Sequence, residues 1–427
     1  VSRIVVVGGG WAGCAAAVAA RQAGAEVVLL ERTDMLLGTG LVGGIMDNNG
    51  RLSAAWEGRA LGAGALFALI DATVRHKLVE FPGHRHASLY DVNKIEPLVA
   101  TYLKELGIQI RLTSRAVDVE MSGRRIAAVI TSQKEKFEAD AFVEATGTAG
   151  PAGNCHRFDS GCVMCILRCP TFGPRVSIAA KAGVVEDTGH LYDALSGSCK
   201  LRKASLATWV VERLERDGVL LVPIPKFMAD EDLLRKKACQ QYNLREFASN
   251  LVLLDTGSVK LMAPFFPLEK LRSIRGFENA KFEDPYSGGR GNSVRYSLIT
   301  PRDNYMQVEG LDNLFCAGEK GGLMVGHTEA IITGTLAGHN AVRKALGMPL
   351  LKLPRSLACG DFIAFVRDEL TSCKEQIGKY TFAGSIYFQR MRELGLYTTD
   401  LGRIERRVRK SGLEGVFARP LESRKTS

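Results

Sequence analysis

The sequence predicts an α/β protein: a parallel, doubly wound sheet, interrupted by a second α/β domain and followed by a helical C-terminal region. Three observations carry this. A short β-branched strand runs straight into a glycine cluster and a helix of small residues at the start of the chain. Further strands of the same kind end in glycine turns near residues 147 and 318. A long stretch of different character separates those last two strands, as expected for an insertion into a strand–helix–strand domain.

Residues 3–7 (Arg-Ile-Val-Val-Val) read as a buried parallel strand, because every position past the first is apolar and β-branched. Gly8, Gly9, Gly10, Trp11, Ala12 and Gly13 follow at once. Residues 14–23 then read as a helix that Gly24 ends, and residues 26–30 as a second strand with Glu31 at its end. Strand, Gly-x-Gly-x-x-Gly, helix, strand and acid in this order form a dinucleotide-binding fingerprint. Gly8 permits the tight turn, Gly10 lets backbone approach a diphosphate, and Gly13 lets helix pack on sheet. The helix N-terminus offers N–H groups and a positive dipole end to the phosphates. Glu31 is placed to accept the hydroxyls of an adenosine ribose. A glycine turn without a ligand would leave Glu31 unexplained.

An acid at position 31 disfavours a 2′-phosphate, so NADP is not expected there. Three features favour FAD. Gly38, Gly40, Gly43 and Gly44 form a second glycine-rich loop, suited to close backbone approach by a long cofactor. Ala145, Thr146 and Gly147 end a strand in a glycine turn. Residues 313–319 are a strand leading to Gly318 and Glu319, with Gly321, Gly322 and Gly326 before a helix over residues 327–346. The expected FAD contacts are Gly8, Gly10, Trp11, Ala12, Gly13, Glu31, Arg32, Gly43, Gly44, Val117, Ala145, Thr146, Gly147, Gly318, Glu319, Gly326 and Thr328.

These motifs resemble the FAD-dependent oxidoreductases with a glutathione-reductase-type FAD-binding Rossmann domain. Within that class, residues 326–341 (Gly-His-Thr-Glu-Ala-Ile-Ile-Thr-Gly-Thr-Leu-Ala-Gly-His-Asn-Ala) resemble the folate- and FAD-dependent tRNA uracil-5-methyltransferases and their relatives, the flavoproteins that modify the tRNA wobble uridine. Residues 353–356 with Gly360, and residues 274–280, resemble the methyltransferase branch. The resemblance covers about residues 1–150 and 265–365. It implies FAD, a folate or NAD(P)H co-substrate, and an RNA substrate. The methyltransferases place a cysteine soon after the second glycine loop, whereas residues 46–51 here are Met-Asp-Asn-Asn-Gly-Arg. Neither Cys199 nor Cys239 matches the family's second cysteine.

Ten cysteines in 427 residues, five of them between Cys155 and Cys199, do not make a secreted disulfide scaffold. Cys162, Cys165, Cys169 and Pro170 form a C-x2-C-x3-C-P run like the latter part of a bacterial ferredoxin motif, with Cys155 the preferred fourth ligand over Cys199. The expected occupant is a 4Fe–4S cluster. Zinc and plain reduced thiols are the alternatives. A flavin beside such a cluster would exchange electron pairs for single electrons with a small-molecule or electron-carrier partner.

The net charge of +10 is compatible with RNA or anionic cofactors. The densest basic run, Arg403, Arg406, Arg407, Arg409 and Lys410, reads first as a solvated helix face and second as a nucleic-acid contact. No run of about 18 apolar residues suggests a membrane span, and the N-terminal apolar stretch lacks a basic leader, so a cytoplasmic protein is expected.

The expected divisions are 1–150 and 301–360 for the two parts of the FAD domain, 151–300 for the insertion, and 361–427 for a helical basic region. Residues 52–82 read as helical with a loop at residues 81–83, residues 91–106 as an amphipathic helix, residues 108–130 as strands, residues 205–217 as helix and residues 219–224 as strand. Residues 287–292 form a glycine-rich loop without a preceding strand, so no separate NAD(P)H domain is visible. Candidate substrate-facing residues are Asn48, Asn49, Arg51, His327 and Glu329. The two activities to be separated are an FAD-dependent oxidoreductase with an iron–sulfur cluster and a folate- and FAD-dependent RNA uracil methyltransferase.

Overall fold

The computed structural model describes residues 1–148, 169–188, 194–196, 198–229, 244–263, 266–283, 293–295, 298–322, 324–372 and 379–421. Five parallel strands form its central sheet. From edge to edge they are Leu314–Cys316, Ala141–Glu144, Arg3–Val7, Glu26–Leu30 and Gln109–Arg111. Arg3–Val7 is the middle strand and is covered on both faces. Its apolar run therefore has no polar alternation. Register aligns the strand ends: Val7 pairs with both Leu30 and Glu144, and Glu144 pairs with Cys316. The chain thus leaves four strands along one edge, at Gly8, Glu31, Ala145 and Ala317, and a ligand of an open α/β sheet binds beyond such an edge.

On one face the helix Trp11–Gln22 crosses the helix His327–Ala345. Gly334 and Gly338 lie four apart and so share one helix face. A Cβ on either would overlap a carbonyl of the first helix, that of Ala12 or Ala16. At the crossing the first helix presents only the small residues Ala12 and Ala16 to Gly334 and Gly338. On the opposite face lies an antiparallel sheet of Ala116–Ser122, Arg125–Thr131 and Lys136–Glu138. It buries Ile126, Val129 and Phe137 against Val5, Val28 and Phe142.

A second unit comes next in the chain. Its antiparallel sheet runs in the order Cys199–Leu201, Ser258–Leu261, Asn250–Thr256, Val219–Pro223. The helix Thr208–Asp217 buries Val210 and Leu214 on it. A three-stranded sheet of Ile45–Met46, His84–Tyr90 and Val74–Phe81 packs against this unit through Leu89, Val252 and Leu254. The C-terminal region holds the helices Ala358–Ser372, Ser385–Glu393 and Leu401–Lys410. The buried Glu57 ties it to the helix Gly50–Ala60. Glu57 accepts the Ala358 and Cys359 N–H groups at 3.0 and 2.9 Å and pairs with Arg407 at 2.5 Å. A carboxylate on a helix N-terminus is favourable for the dipole as well as for the hydrogen bonds.

Two expected elements differ. Residues 52–82 do not stay helical: after the helix Ala65–Ala72 comes the strand Val74–Phe81, and Pro82 and Gly83 turn it into His84–Tyr90. Register shifts along that pair break its alternation, so the segment carries no clean period of two. The amphipathic helix begins at Ile95 rather than 91, because Asp91 accepts the Asn93 N–H at 3.0 Å and turns the chain first. Among the described residues no helix is long and apolar enough to cross a membrane.

Two predictions arise from this packing. Gly334→Ala and Gly338→Ala should each lower stability by about 1–3 kcal/mol, since the helices must separate to admit a methyl group; chemical denaturation followed by circular dichroism measures this. His339 is fully buried, edge-on to Phe417 with ring centroids 5.3 Å apart, and neither ring nitrogen has a hydrogen-bond partner among the described residues. Burial pushes its pKa down from 6.5 to about 4. Between those values the unfolded chain takes up a proton that the folded chain refuses. Stability from this residue is therefore complete above about pH 6.5 and declines toward pH 4, by up to about 3 kcal/mol. In His339→Leu that part of the pH dependence should vanish from urea melts.

Candidate dinucleotide site

The sheet edge brings the two halves of the fingerprint together. Gly8 has φ +101°, and a Cβ there would stand 2.5 Å from the Ala145 carbonyl oxygen. A Cβ on Gly13 would overlap the Gly8 carbonyl. Gly10 is different: among the described residues nothing lies within 4 Å of the position of its Cβ, and none caps by its side chain the free N–H groups of the first helix, which Gly10 begins. The tight positions are thus closed by the protein, and the position facing outward is open.

Glu31 is buried beside this turn. One carboxylate oxygen accepts the Gly9 N–H at 2.7 Å, and the other accepts the Thr33 N–H and hydroxyl, each at 2.8 Å. An ionised carboxylate has about four lone-pair positions, so room for a ribose hydroxyl remains. Arg32 instead donates to the Gly173 carbonyl. Val117 sits in the crossover sheet, three residues beyond Ser114, whose N–H reaches the Glu31 carbonyl at 2.9 Å.

Gly147 has φ +68° with nothing among the described residues within 4 Å of its Cβ position, and Thr146 donates to Glu144 at 2.9 Å. Gly318, at φ +65°, would place a Cβ 3.0 Å from the Ala12 methyl group, and its N–H donates to Thr333 Oγ1 at 3.0 Å. The Glu319 carboxylate accepts from the Thr148 hydroxyl. Gly8, Gly10, Ala12, Gly13, Glu31, Ala145, Gly147, Gly318 and Glu319 therefore share one edge.

Other expected contacts have protein neighbours. A Cβ on Gly43 would overlap the His327 imidazole, and one on Gly44 would lie 2.5 Å from the Thr256 side chain. The loop lies on Trp11 and His327, and its carbonyls are held from the far side. Lys260 reaches Val42 and Gly43 at 2.5 and 2.6 Å, and Lys200 reaches Leu41 at 3.3 Å. Burial pulls the Lys200 pKa below its ordinary value. Under the loop, the Tyr90 hydroxyl lies 3.0 Å from His327 Nδ1, and Trp11 stacks at 5.5 Å from the same imidazole. Burial raises the Tyr90 pKa, so the phenol stays protonated. Thr328 is buried at the start of the same helix.

Asn48 and Arg51 lie in a closed network rather than on an open surface. Arg51 pairs with the buried Glu329 at 3.1 Å and donates to Asn48, Val325 and Thr381. Glu329 also accepts from Thr381 and the Phe382 N–H, and Asn48 meets His84 at 2.8 Å. Asn49 joins Gly83, Arg85 and Ala383. A Cβ on Gly326 would overlap this ion pair, which accounts for that glycine. Sequence reasoning missed a second buried cluster: Lys320 pairs with Glu186 and lies 4.0 Å from Glu144, with Ser177, Thr300 and Arg175 around it. The one signal for it was an acid, Glu144, ending an otherwise apolar buried strand.

Cys155, Cys162 and Cys165 lie outside the described residues, as do the side chain of Cys169, the loop 287–292, Cys239 and Cys373. Among the described residues no group of three His, Cys, Asp or Glu could hold a metal ion. Cys14, Cys199, Cys316 and Cys359 are buried thiols outside any disulfide. Burial pushes the Cys316 thiol up to about 12 and raises those of Cys14 and Cys359 as well. None of those three is poised as a thiolate nucleophile.

The family model described as glucose inhibited division protein A matches residues 3–222 and 256–349. The tRNA uridine 5-carboxymethylaminomethyl modification enzyme MnmG of Thermus thermophilus is 28% identical over 427 aligned positions, spanning 86% of this chain and 68% of that protein. The enzyme of the same name from Chlorobaculum tepidum is 38% identical over 102 residues, which are 23% of this chain and 15% of that protein. Among solved structures, Aquifex aeolicus GidA superposes with a TM-score of 0.64 at 18% identity, covering 96% of this chain and 76% of that one. That likeness shows a shared fold of the glutathione-reductase type. These two relatives are named as uridine-modifying enzymes and not as uracil-5-methyltransferases: the wider resemblance of residues 326–341 to tRNA uridine-modifying flavoproteins stands, and the methyltransferase branch drawn from residues 274–280, 353–356 and Gly360 is corrected.

The Arg51–Glu329 network gives a test of its own. Arg51→Ala should cost about 3–5 kcal/mol, because it leaves Glu329 buried without its counter-charge. Adding Glu329→Gln should recover part of that loss in urea melts, and a purely additive double mutant would show that the pair is not coupled.

Proposed function

The chain belongs to the glucose inhibited division protein A family, and from that premise we propose that it is a cytoplasmic flavoprotein that binds FAD and modifies a uridine of tRNA. The observation that carries the cofactor reading is the sheet edge. A tight Gly8–Gly13 turn, an open Gly10, an uncapped helix N-terminus and Glu31 stand in register with the Gly147 and Gly318 turns. These residues fit FAD. The turn and helix end suit a diphosphate, Glu31 a ribose, and Thr148–Glu319 a polyol chain. Bound flavin supplies two-electron chemistry. The chain's own part is to bind, orient and shield: the loop pinned by Lys200 and Lys260 covers Trp11 and His327.

The tRNA reading is supported by the names of the relatives and by charge. In the helix Leu401–Lys410, Ile404 and Val408 are buried and Arg407 turns inward to Glu57. Arg403, Arg406, Arg409 and Lys410 are exposed, so the basic run divides into one structural arginine and a solvent-facing group suited to phosphate. An iron–sulfur cluster on Cys155, Cys162, Cys165 and Cys169 is a separate proposal that rests on the C-x2-C-x3-C-P spacing.

The purified chain should carry a flavin spectrum. Glu31→Ala should weaken FAD binding by about tenfold to a hundredfold, the worth of charge-assisted hydrogen bonds. Retention of tRNA should fall steeply with salt and should weaken when Arg403, Arg406, Arg409 and Lys410 are changed to Gln. Salt-insensitive behaviour or unmodified uridine in a mass assay of incubated tRNA would remove the tRNA reading. Iron and acid-labile sulfide assays on anaerobic protein decide the cluster.

A further inference from the structure

Arg175 is 2% exposed, yet none of its guanidinium nitrogens has a hydrogen-bond partner among the described residues. Leaving such a fork buried and unpaired is strongly unfavourable. The chain around it is firmly held. Arg32 donates to the Gly173 carbonyl, and Arg115 to that of Pro174 at 3.4 Å. Ser177 caps the short helical turn after it, accepting the Ala180 N–H at 3.2 Å, and the Ala179 N–H donates to Glu144 at 2.8 Å. Residues 173–179 therefore lie against the edge where the strands end, tied to the residue after Glu31 and to the strand that leads into Ala145.

The carboxylates in electrostatic range of Arg175 are Glu144, Glu186 and Glu319, with Arg32 the nearby like charge. Each carboxylate is already engaged: Glu186 by Lys320, Ser177 and Thr300, Glu144 by Thr146 and the Ala179 N–H, and Glu319 by Thr148. The Gly8–Gly13 turn, by contrast, contains no cation. A helix N-terminus supplies only about half a positive charge, which leaves a dinucleotide's doubly charged diphosphate under-compensated.

We propose that Arg175 is the cofactor-positioning cation of this site, its guanidinium taking the diphosphate of FAD. A planar fork of N–H donors matches phosphate oxygens two at a time. The proposal rests on the FAD reading above. It also explains why the chain pins residues 173–179 from three sides while leaving the guanidinium without an acceptor among the described residues.

The test compares the wild-type chain with Arg175→Met and Arg175→Gln. FAD fluorescence on serial dilution gives the dissociation constant, and thermal midpoints are read without ligand and with saturating FAD, ADP or adenosine. Both variants should bind FAD at least about tenfold more weakly. They should lose the thermal shift given by ADP and keep that given by adenosine, and melt no lower than wild type without ligand. An unchanged FAD dissociation constant with a lowered ligand-free midpoint would overturn the proposal and assign Arg175 to the Glu144–Lys320–Glu186 cluster. If Arg175→Met does not fold, the charge-free Arg175→Gln decides by the same readings. A wild type that binds no FAD under any condition overturns the flavoprotein reading itself, which separates the two failures.

Discussion

The close crossing of two helices holds the site together. Gly334 and Gly338 set the helix His327–Ala345 onto the Ala12 and Ala16 carbonyls of the first helix. The first helix starts at Trp11, inside the turn Gly8–Gly13, and the long helix holds Gly318 through Thr333, so their contact fixes one glycine turn against the other. Interiors are packed too densely to absorb an added methyl group without a shift of the backbone. The 3.0 Å approach that a Gly318 Cβ would make to Ala12, and the hydrogen bond from Gly318 to Thr333, result from that crossing.

Around this frame the chain buries charge in pairs and clusters. Arg51 with Glu329 joins the segment after the second glycine loop to the long helix and to residues 381–382. Glu57 joins the same region to two C-terminal helices. Lys320 with Glu186 and Glu144 sits under the sheet edge. Replacing such pairs by apolar groups is often neutral, but removing one partner is expensive. They act as registration devices between segments far apart in sequence. Arg175 departs from this pattern, since its charge stands in the cluster without a hydrogen bond among the described residues.

The glycines divide by what stands opposite them. Gly10 and Gly147 have nothing among the described residues within 4 Å of their Cβ positions. Gly43, Gly44 and Gly326 face His327, Thr256 and the Arg51–Glu329 pair. In a sequence both kinds look alike, because a missing side chain records close approach without naming the partner. The second glycine loop therefore has a packing role beside any cofactor role: it lets a cover, clamped by Lys200 and Lys260, lie flat on Trp11 and His327.

The parallel core, the order of strand, turn, helix and acid, and the placement of Glu31 were legible in the amino-acid order, because each depends on residues within a few turns of one another. So were the helix at residues 208–217 and the strand after it. The hairpin at residues 74–90 was not, because its register shifts erase the alternation that marks a strand. Asn48 and Arg51 looked available for substrate, and the fold encloses them, since the Arg51 partners Glu329, Val325 and Thr381 come from more than 270 residues away and Asn48 is held by Arg51 and His84. Arg175 carried no signal at all: one arginine among many becomes distinctive only when the tertiary structure buries it and leaves its donors unmet. Sequence by itself determined the local chemistry of the dinucleotide turn. The tertiary structure decided which charges are spent on holding the protein together and which are left for a ligand, because long-range pairing is set by packing and not by spacing.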